Sequence, residues 1–336
     1  MIKIEDCNQN DWNKFAIHAD RSNFLNSWQW GEVHNTIGEK VYRLAISKDN
    51  KLSGLLLAIV KNARRGRYLE VPGGPLIDWS DKSVVKEVVS YLKTLARENN
   101  CIFVRVRPQL KDSEDSRSLL TGMGFRRALM HLNAEHTNIL DITISEEDIL
   151  KNMRQQTRYE IKRSIKEGIV VSWSSSKEDL ELFQEVQSDT AKRQGFITSS
   201  SKFLNAQLAD FGDHFRIYKT EKDGNLLSMA IIIFFGNEAD YYEGASTLAS
   251  RKLPGAYALQ WQAIRDAKAA GITRYNFWGI SGSNNSKHRY AGVTTFKRGF
   301  GGEDFTFVPA HDLVIQNIKY IKNWSIELVR KKMRNL

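Results

Sequence analysis

The feature of this sequence that most constrains its fold is an internal repeat of hydrophobic pattern rather than of residue identity. In the first half, residues 43–47 (RLAIS) lead through the polar stretch 48–51 (KDNK) into the apolar run 52–60. In the second half, residues 216–219 (RIYK) lead through 221–225 (EKDGN) into the apolar run 226–235. Each reads as a β-hairpin, two strand-length runs joined by a polar turn. A third strand follows in both halves, at 67–71 and at 239–243, then a loop holding Gly and Pro, then a helix. The first helix carries Val85, Val88, Val89, Leu92, Leu95 and Ala96 at the spacing of one buried face. The second runs from about residue 256 to 270 and stops at Gly271. A closing strand completes each unit, at 102–106 and 275–278.

A β-β-β-α-β succession on a mixed sheet is the plan of the acyl-CoA N-acyltransferase (GNAT-like) fold. The expected class is therefore α/β (α+β): two tandem GNAT-like domains with mixed β-sheets flanked by helices. The chain's 336 residues agree with about two domains at the usual length. The join is expected near residues 140–142, which makes residues 1–142 the first domain and 143–309 the second. The tail from about residue 312 reads as a helix with Leu313, Ile318, Ile321, Leu328 and Val329 near one side and a basic end. Such a helix either packs on the body or touches an anionic membrane.

Composition excludes several classes. Hydrophobic residues at 41% and charged residues at 26% build a folded core rather than a disordered chain. No apolar run approaches the length that spans a bilayer. The start of the chain, MIKIEDC, has neither the charged region nor the apolar core of a signal peptide. Two cysteines, Cys7 and Cys101, make no disulfide framework and no metal site. Together these point to the cytoplasm. The net charge of +10 suits an anionic partner such as nucleic acid, phosphate or a membrane surface, although a merely solvated basic face stays open.

The standard catalytic sets are missing from the sequence. It contains no Gly-x-Ser-x-Gly elbow and no phosphate-binding Gly-x-x-x-x-Gly-Lys-Ser/Thr loop. His131 and His136 stand five apart in a strand-like region, a poor chelating geometry. The loop before a GNAT main helix normally cradles pyrophosphate on backbone N–H groups. Here the first half offers only Gly73-Gly74-Pro75, and the second has residues 252–257 (KLPGAY), with Tyr257 where a small residue belongs. Residues 146–168 read as one helix with a basic middle, in which Arg154, Arg158 and Lys162 recur every four residues. That face either tracks phosphates or is solvated, since Glu160 and Glu167 are interleaved. The remaining stretch, 278–282 (WGISG) and 290–302 (YAGVTTFKRGFGG), interleaves glycines with aromatics and two adjacent cations. Read as extended, it anchors on Phe296 and Phe300 and sends Lys297 and Arg298 to opposite faces.

At these residues the sequence resembles the FemABX family of non-ribosomal peptidyltransferases. The resemblance is carried by four segments: 24–31 (FLNSWQWG); 154–163 (RQQTRYEIKR) leading to 166–168 (KEG); 256–261 (AYALQW) with 277–280 (FWGI); and 291–302 (AGVTTFKRGFGG). It implies an enzyme that moves an amino acid from aminoacyl-tRNA to the stem-peptide amine of a peptidoglycan precursor. It also implies two GNAT-like domains, with the final helix (310–336) packing back on the first. No heptad-patterned insertion is present, so the compact type is implied, acting as a monomer without cofactor or metal. Lys297, next to Phe296, takes the catalytic part as oxyanion donor. Substrate contacts fall to Trp28, Trp30, Tyr242, Tyr257, Trp278 and Arg298, and tRNA contacts to Arg154, Arg158 and Lys162. The chain departs from the compact pattern at Glu32 and Ser199, where a lysine and an arginine hold a diphosphate, and at Arg107, where some members have a carboxylate. The acceptor therefore stays open between lipid-linked and nucleotide-linked precursors, the former implying peripheral contact with the inner membrane surface. A coenzyme A-dependent N-acyltransferase and a non-catalytic RNA-binding protein are the alternative functions.

Overall fold

The repeat of hydrophobic pattern is a repeat of hydrogen bonding. In the computed structural model, which describes residues 1–282 and 290–333, β2 (Lys40–Lys48) and β3 (Lys51–Ala63) form one hairpin, following β1 (Ile2–Asp6), α1 (Gln9–His18) and α2 (Trp28–Thr36). Further along, β9 (Phe215–Lys222) and β10 (Asn225–Phe235) form the other. Both turns have two residues, Asp49-Asn50 and Asp223-Gly224, all four with positive φ. That geometry matches the twist of a hairpin and selects Asn, Asp and Gly. The hairpins then continue alike. β3 pairs antiparallel with β4 (Gly66–Val71), which pairs parallel with β5 (Phe103–Val106). β10 pairs antiparallel with β11 (Glu238–Ser246), which pairs parallel with β12 (Arg274–Gly279).

The crossover helices α3 (Lys82–Glu98) and α9 (Gly255–Ala269) follow from their sequences. Asp81 caps α3 by accepting from the Ser83 and Val84 N–H groups, satisfying donors a helix start leaves free. Val84, Val85, Val88, Val89, Leu92, Leu95 and Ala96 are all buried on the sheet. α9 opens on Gly255, a position that leaves no room for a side chain, since a Cβ there would lie 2.8 Å from Leu227 Cβ and 2.9 Å from Thr220 Oγ1. Its buried face is Ala258, Leu259, Ala263, Ile264 and Ala267.

Two further pairs of elements complete the first unit, Met1–Glu135 with Thr306–Leu336. They are α4 (Glu114–Gly122) with β6 (Phe125–Arg127), and β14 (His311–Val314) with α11 (Asn317–Met333). The sheet order is β1-β2-β3-β4-β5-β14-β6. The second unit, His136–Phe305, contains β7 (His136–Asp141), α5 (Glu146–Asn152), α6 (Gln155–Lys166), β8 (Val170–Ser174), α7 (Lys177–Gln194) and α8 (Ser201–Phe211) before the hairpin. After β12 come α10 (Ala291–Arg298) and β13 (Glu303–Thr306), and the sheet order is β13-β7-β12-β11-β10-β9-β8. The two orders correspond strand for strand. Each sheet takes its sixth strand, β14 or β7, antiparallel to the closing strand of the repeat.

Three expectations need revision. Residues 136–141, placed before the join at 142, pair with β12 and belong to the second sheet. Residues 311–314, read as the start of the terminal helix, are a strand between β5 and β6. What fixes that strand is charge. Arg105 is 6% exposed and Asp312 1%, and the guanidinium donates to both Asp312 oxygens, at 2.7 and 2.8 Å, and to Glu327 on α11 at 3.2 Å. Tyr320 donates to the same carboxylate at 3.1 Å. The third revision concerns residues 146–168, which form two helices rather than one. Met153 is extended and buried, and the Arg154 N–H donates to Gly299 O at 2.9 Å rather than to its own helix. Among the described residues no helix is long and apolar enough to cross a membrane.

Candidate active site

The second sheet opens where its two parallel strands part. β11 and β12 are in register only over Glu238, Ala239 and Asp240. Beyond that, Ile232 pairs with Tyr241 and Ile231 with Glu243, so Tyr242 is the extra residue of a β-bulge. Successive side chains of a regular strand alternate between faces, but a bulge breaks the alternation. Tyr241, Tyr242 and Glu243, with the regularly paired Gly244, Ala245 and Ser246 after them, line one cavity of about 730 Å³. On the other strand Trp278 has φ of +57°, an uncommon conformation for a bulky residue. Such backbone outliers concentrate at functional sites. Trp278 is held there by its N–H to Asn276 Oδ1 at 2.9 Å and by Thr137 Oγ1 donating to its carbonyl at 3.1 Å.

Lys297 enters this cavity from the last turn of α10. The sequence predicts an extended segment here, and β-branched Val293, Thr294 and Thr295 favour that locally. Tertiary packing decides for a helix, because Phe296 and Phe300, four apart, then share one side. Phe296 meets Tyr257 edge-on at 5.0 Å, Phe300 stacks on Tyr257 at 5.9 Å, and Phe277 closes on Phe300 at 5.2 Å. The glycines that follow serve close approach. A Cβ at Gly299 would lie 2.6 Å from Thr157 Oγ1, and one at Gly302 (φ +80°) 2.6 Å from Ile139 O.

The ammonium of Lys297 donates to Gly279 O at 2.8 Å and lies 5.1 Å from the Tyr241 ring centroid. It is 8% exposed and forms no ion pair among the described residues. Burial without a carboxylate disfavours the charged form and lowers its pKa from 10.5 to about 7. The Tyr241 hydroxyl is pushed up to about 12 by burial, and that of Tyr242 is raised further, by burial and then by the Glu243 charge. Glu243 is also raised by burial, against the pull of Ser199 and Gln187, which donate to its two oxygens. A cationic donor on a fixed backbone, over aromatic walls and out of water, can stabilise a developing oxyanion.

The structure sorts the expected residues. Tyr242, Trp278, Phe296 and Lys297 line the cavity. Tyr257 stands behind them in the aromatic cluster, where burial raises its hydroxyl and a hydrogen bond with Arg154 works in the opposite direction. Arg298 turns away from Lys297 and pairs with Asp304 at 2.6 Å. Trp28 and Trp30 lie in the first unit, outside this cavity. Trp30 is buried edge-on against Phe24 and His34, and Trp28 covers the Arg43 guanidinium at 4.2 Å. That guanidinium also pairs with Glu32 at 2.6 Å. Arg107 is fully buried over Phe307 and donates to Gln109. On α6, Arg154 and Lys162 are exposed, while Arg158 donates to the Lys151 and Met153 carbonyls and so caps α5. Glu243, Gln187 and Tyr241 were missed as site residues. Glu243 sits in an ordinary strand pattern, and nothing local in the sequence marks that stretch of β11 as a cavity wall.

This geometry can be set beside known proteins. The chain is 23% identical to aminoacyltransferase FemA of Staphylococcus aureus, over 85% of this chain and 91% of that protein. The alignment runs over 382 positions, more than the 336 residues here, so that protein carries segments this chain lacks. Among solved structures, that of FemX superposes with a TM-score of 0.86 at 16% identity, covering 95% of this chain and 98% of that one. A tandem GNAT protein from the clavulanic acid biosynthesis pathway superposes at 0.56 with 9% identity, over 94% and 99% of the two chains. Both show the fold, two GNAT-like units in tandem. The model of the FemAB family matches residues 7–119, 120–223 and 216–327, a span that takes in both units and the Phe296-Lys297 turn, and the chain belongs to that family.

Proposed function

We propose that this protein transfers an aminoacyl group from aminoacyl-tRNA to the stem-peptide amine of a peptidoglycan precursor, the step that builds an interpeptide bridge. The observation that carries the reading is Lys297, desolvated and hydrogen-bonded to Gly279 O between aromatic walls. The acceptor amine attacks the ester carbonyl, the carbonyl oxygen takes the negative charge, and the C–O bond to the ribose breaks. The proton lost by the amine ends on the departing ribose oxygen. An amide is more stable than an ester, so the exchange needs no further energy source. Alignment of the two substrates supplies on the order of 7–11 kcal/mol of barrier reduction, and one oxyanion donor about 3–4 kcal/mol. Charged tRNA incubated with lipid-linked and nucleotide-linked precursors tests the reading. A mass increase of one amino-acid residue on the peptide supports it, and unchanged precursors with every charged tRNA overturn it.

The tRNA lies along α6 in this reading, with Arg154, Lys162 and Lys166 exposed and Tyr159, 58% exposed, offering a stacking surface. Arg158 contributes through the fold, as the cap of α5. The double variant Arg154→Glu/Lys162→Glu is expected to weaken tRNA binding about tenfold or more at low salt. It should also flatten the salt dependence, because fewer counterions are released. Filter binding over a salt series measures both. Unchanged affinity and slope would make α6 a solvated surface.

A further inference from the structure

We propose that Glu243 is the subsite for the α-ammonium group of the aminoacyl donor, built into the same cavity as Lys297. Among the described lining residues Glu243 is the sole acid and Lys297 the sole base. In a chain of net charge +10, a half-buried carboxylate with no counter-charge is a costly arrangement unless something cationic meets it. Among the described residues nothing does, since Glu243 makes no ion pair. Its partners are neutral donors, the Ser199 hydroxyl at 2.5 Å and the Gln187 side-chain amide. They fix the plane of the carboxylate and use about half of its roughly four lone-pair sites. The remainder is free for the N–H groups of a cation. Tyr242, Trp278 and Tyr290 also line the cavity, and aromatic faces add to the attraction of a desolvated ammonium.

The inference rests on the aminoacyl-transfer reading, which supplies two candidate amines. The acceptor amine has to be neutral when it attacks, and an ion pair with Glu243 would hold it protonated. The donor's α-amine has the opposite requirement. It does not react, it stands one carbon from the carbonyl that Lys297 polarises, and in the ammonium form it cannot itself become acylated. A carboxylate suits the second amine and hinders the first. A donor lacking the α-amine would leave the Glu243 charge without a counter-charge, and the site should discriminate against it.

Binding of non-hydrolysable donors tests this without requiring turnover. The glycyl, alanyl, leucyl and lysyl amides of 3′-amino-3′-deoxyadenosine are compared by calorimetry with the matching α-hydroxyacyl amides. The tightest-binding aminoacyl amide is expected to bind wild type at least tenfold more tightly than its hydroxyacyl partner. Glu243→Gln should erase that preference by weakening only the amino compound, and Glu243→Asp should restore part of it. Because the substitution removes a buried charge, Glu243→Gln should keep or raise the melting temperature, so loss of preference is not loss of fold. Equal binding of the two compounds to wild type, or a preference that survives in Glu243→Gln, overturns the subsite. Aminoacyl transfer assayed on the same preparation reports on the reaction separately. Transfer without an ammonium preference removes the subsite alone, and a preference without transfer removes the reaction alone.

Discussion

Lys297→Met is expected to lower the single-turnover rate by about a hundredfold or more, on the scale of losing one oxyanion donor. Binding of tRNA and acceptor should change far less, since an interaction strongest in the transition state governs rate rather than ground-state affinity. Two further readouts separate this role from a structural one. Lysine ordinarily titrates at 10.5 and here at about 7, so between those values the unfolded chain binds more protons than the folded one. Stability therefore rises with pH across that window, and the penalty of burying the ammonium is greatest at and below about pH 7. Lys297→Met removes that penalty, so near neutrality the variant should be slower and at least as stable. Activity has the opposite sign. The donor must be protonated, so wild-type turnover should fall as pH rises through the Lys297 pKa, a limb absent from the variant's profile. Arg298→Met, which removes only the exposed pair with Asp304, should leave the chemical step near wild type. Equal losses at the two positions, or a Lys297→Met enzyme of normal speed, would sink the assignment.

Asp312→Ala is expected to destabilise the first unit by about 3–5 kcal/mol, the usual consequence of leaving one partner of a buried ion pair uncompensated. Asp312 takes two hydrogen bonds from Arg105 and one from Tyr320. In its absence Arg105 keeps, among the described residues, one carboxylate, Glu327 at 3.2 Å, and the face of Phe103 at 5.0 Å. The damage should come from the stranded guanidinium rather than from lost attraction. The double variant Arg105→Met/Asp312→Ala should therefore recover much of the loss. Urea denaturation, followed by exchange of the β5 and β14 amides, measures both. A single variant within about 1 kcal/mol of wild type would show that β14 is held by its backbone ladder alone.

The two halves differ in how openly the sequence displays them. The hairpins were legible because their strands alternate or run apolar, and because Asp49-Asn50 and Asp223-Gly224 are residues that tolerate positive φ. The helix α3 was legible because six apolar residues, Val85 to Ala96, fall at the spacing of one face, and the structure adds Val84 to them. Local pattern of this kind depends on neighbours three or four residues away, so it survives in a one-dimensional reading. The importance of residues 291–302 was also visible, in their glycines, aromatics and cations, although their conformation was not. Val293, Thr294 and Thr295 argue for a strand, and the packing of Phe296 and Phe300 against Tyr257 outweighs them.

Everything else was decided by contacts far apart in the chain. The break between α5 and α6 has no proline or glycine at Met153-Arg154; it exists because Arg154 bonds to Gly299, nearly 150 residues away. The strand β14 was hidden inside a helical pattern and is drawn into the first sheet by Arg105, 207 residues distant. Glu243 looks in sequence like one more polar residue of a strand, and only the parting of β11 from β12 makes that stretch a cavity wall. By itself the sequence determined the repeat and its β-β-β-α-β order, because hydrophobic period and turn chemistry are local, and it marked the segment that carries Lys297 without giving its conformation. Only the tertiary structure decided which side chains share the cavity and what its buried lysine and carboxylate can do. Desolvation and strand register are properties of the assembled sheet, and no segment carries them alone.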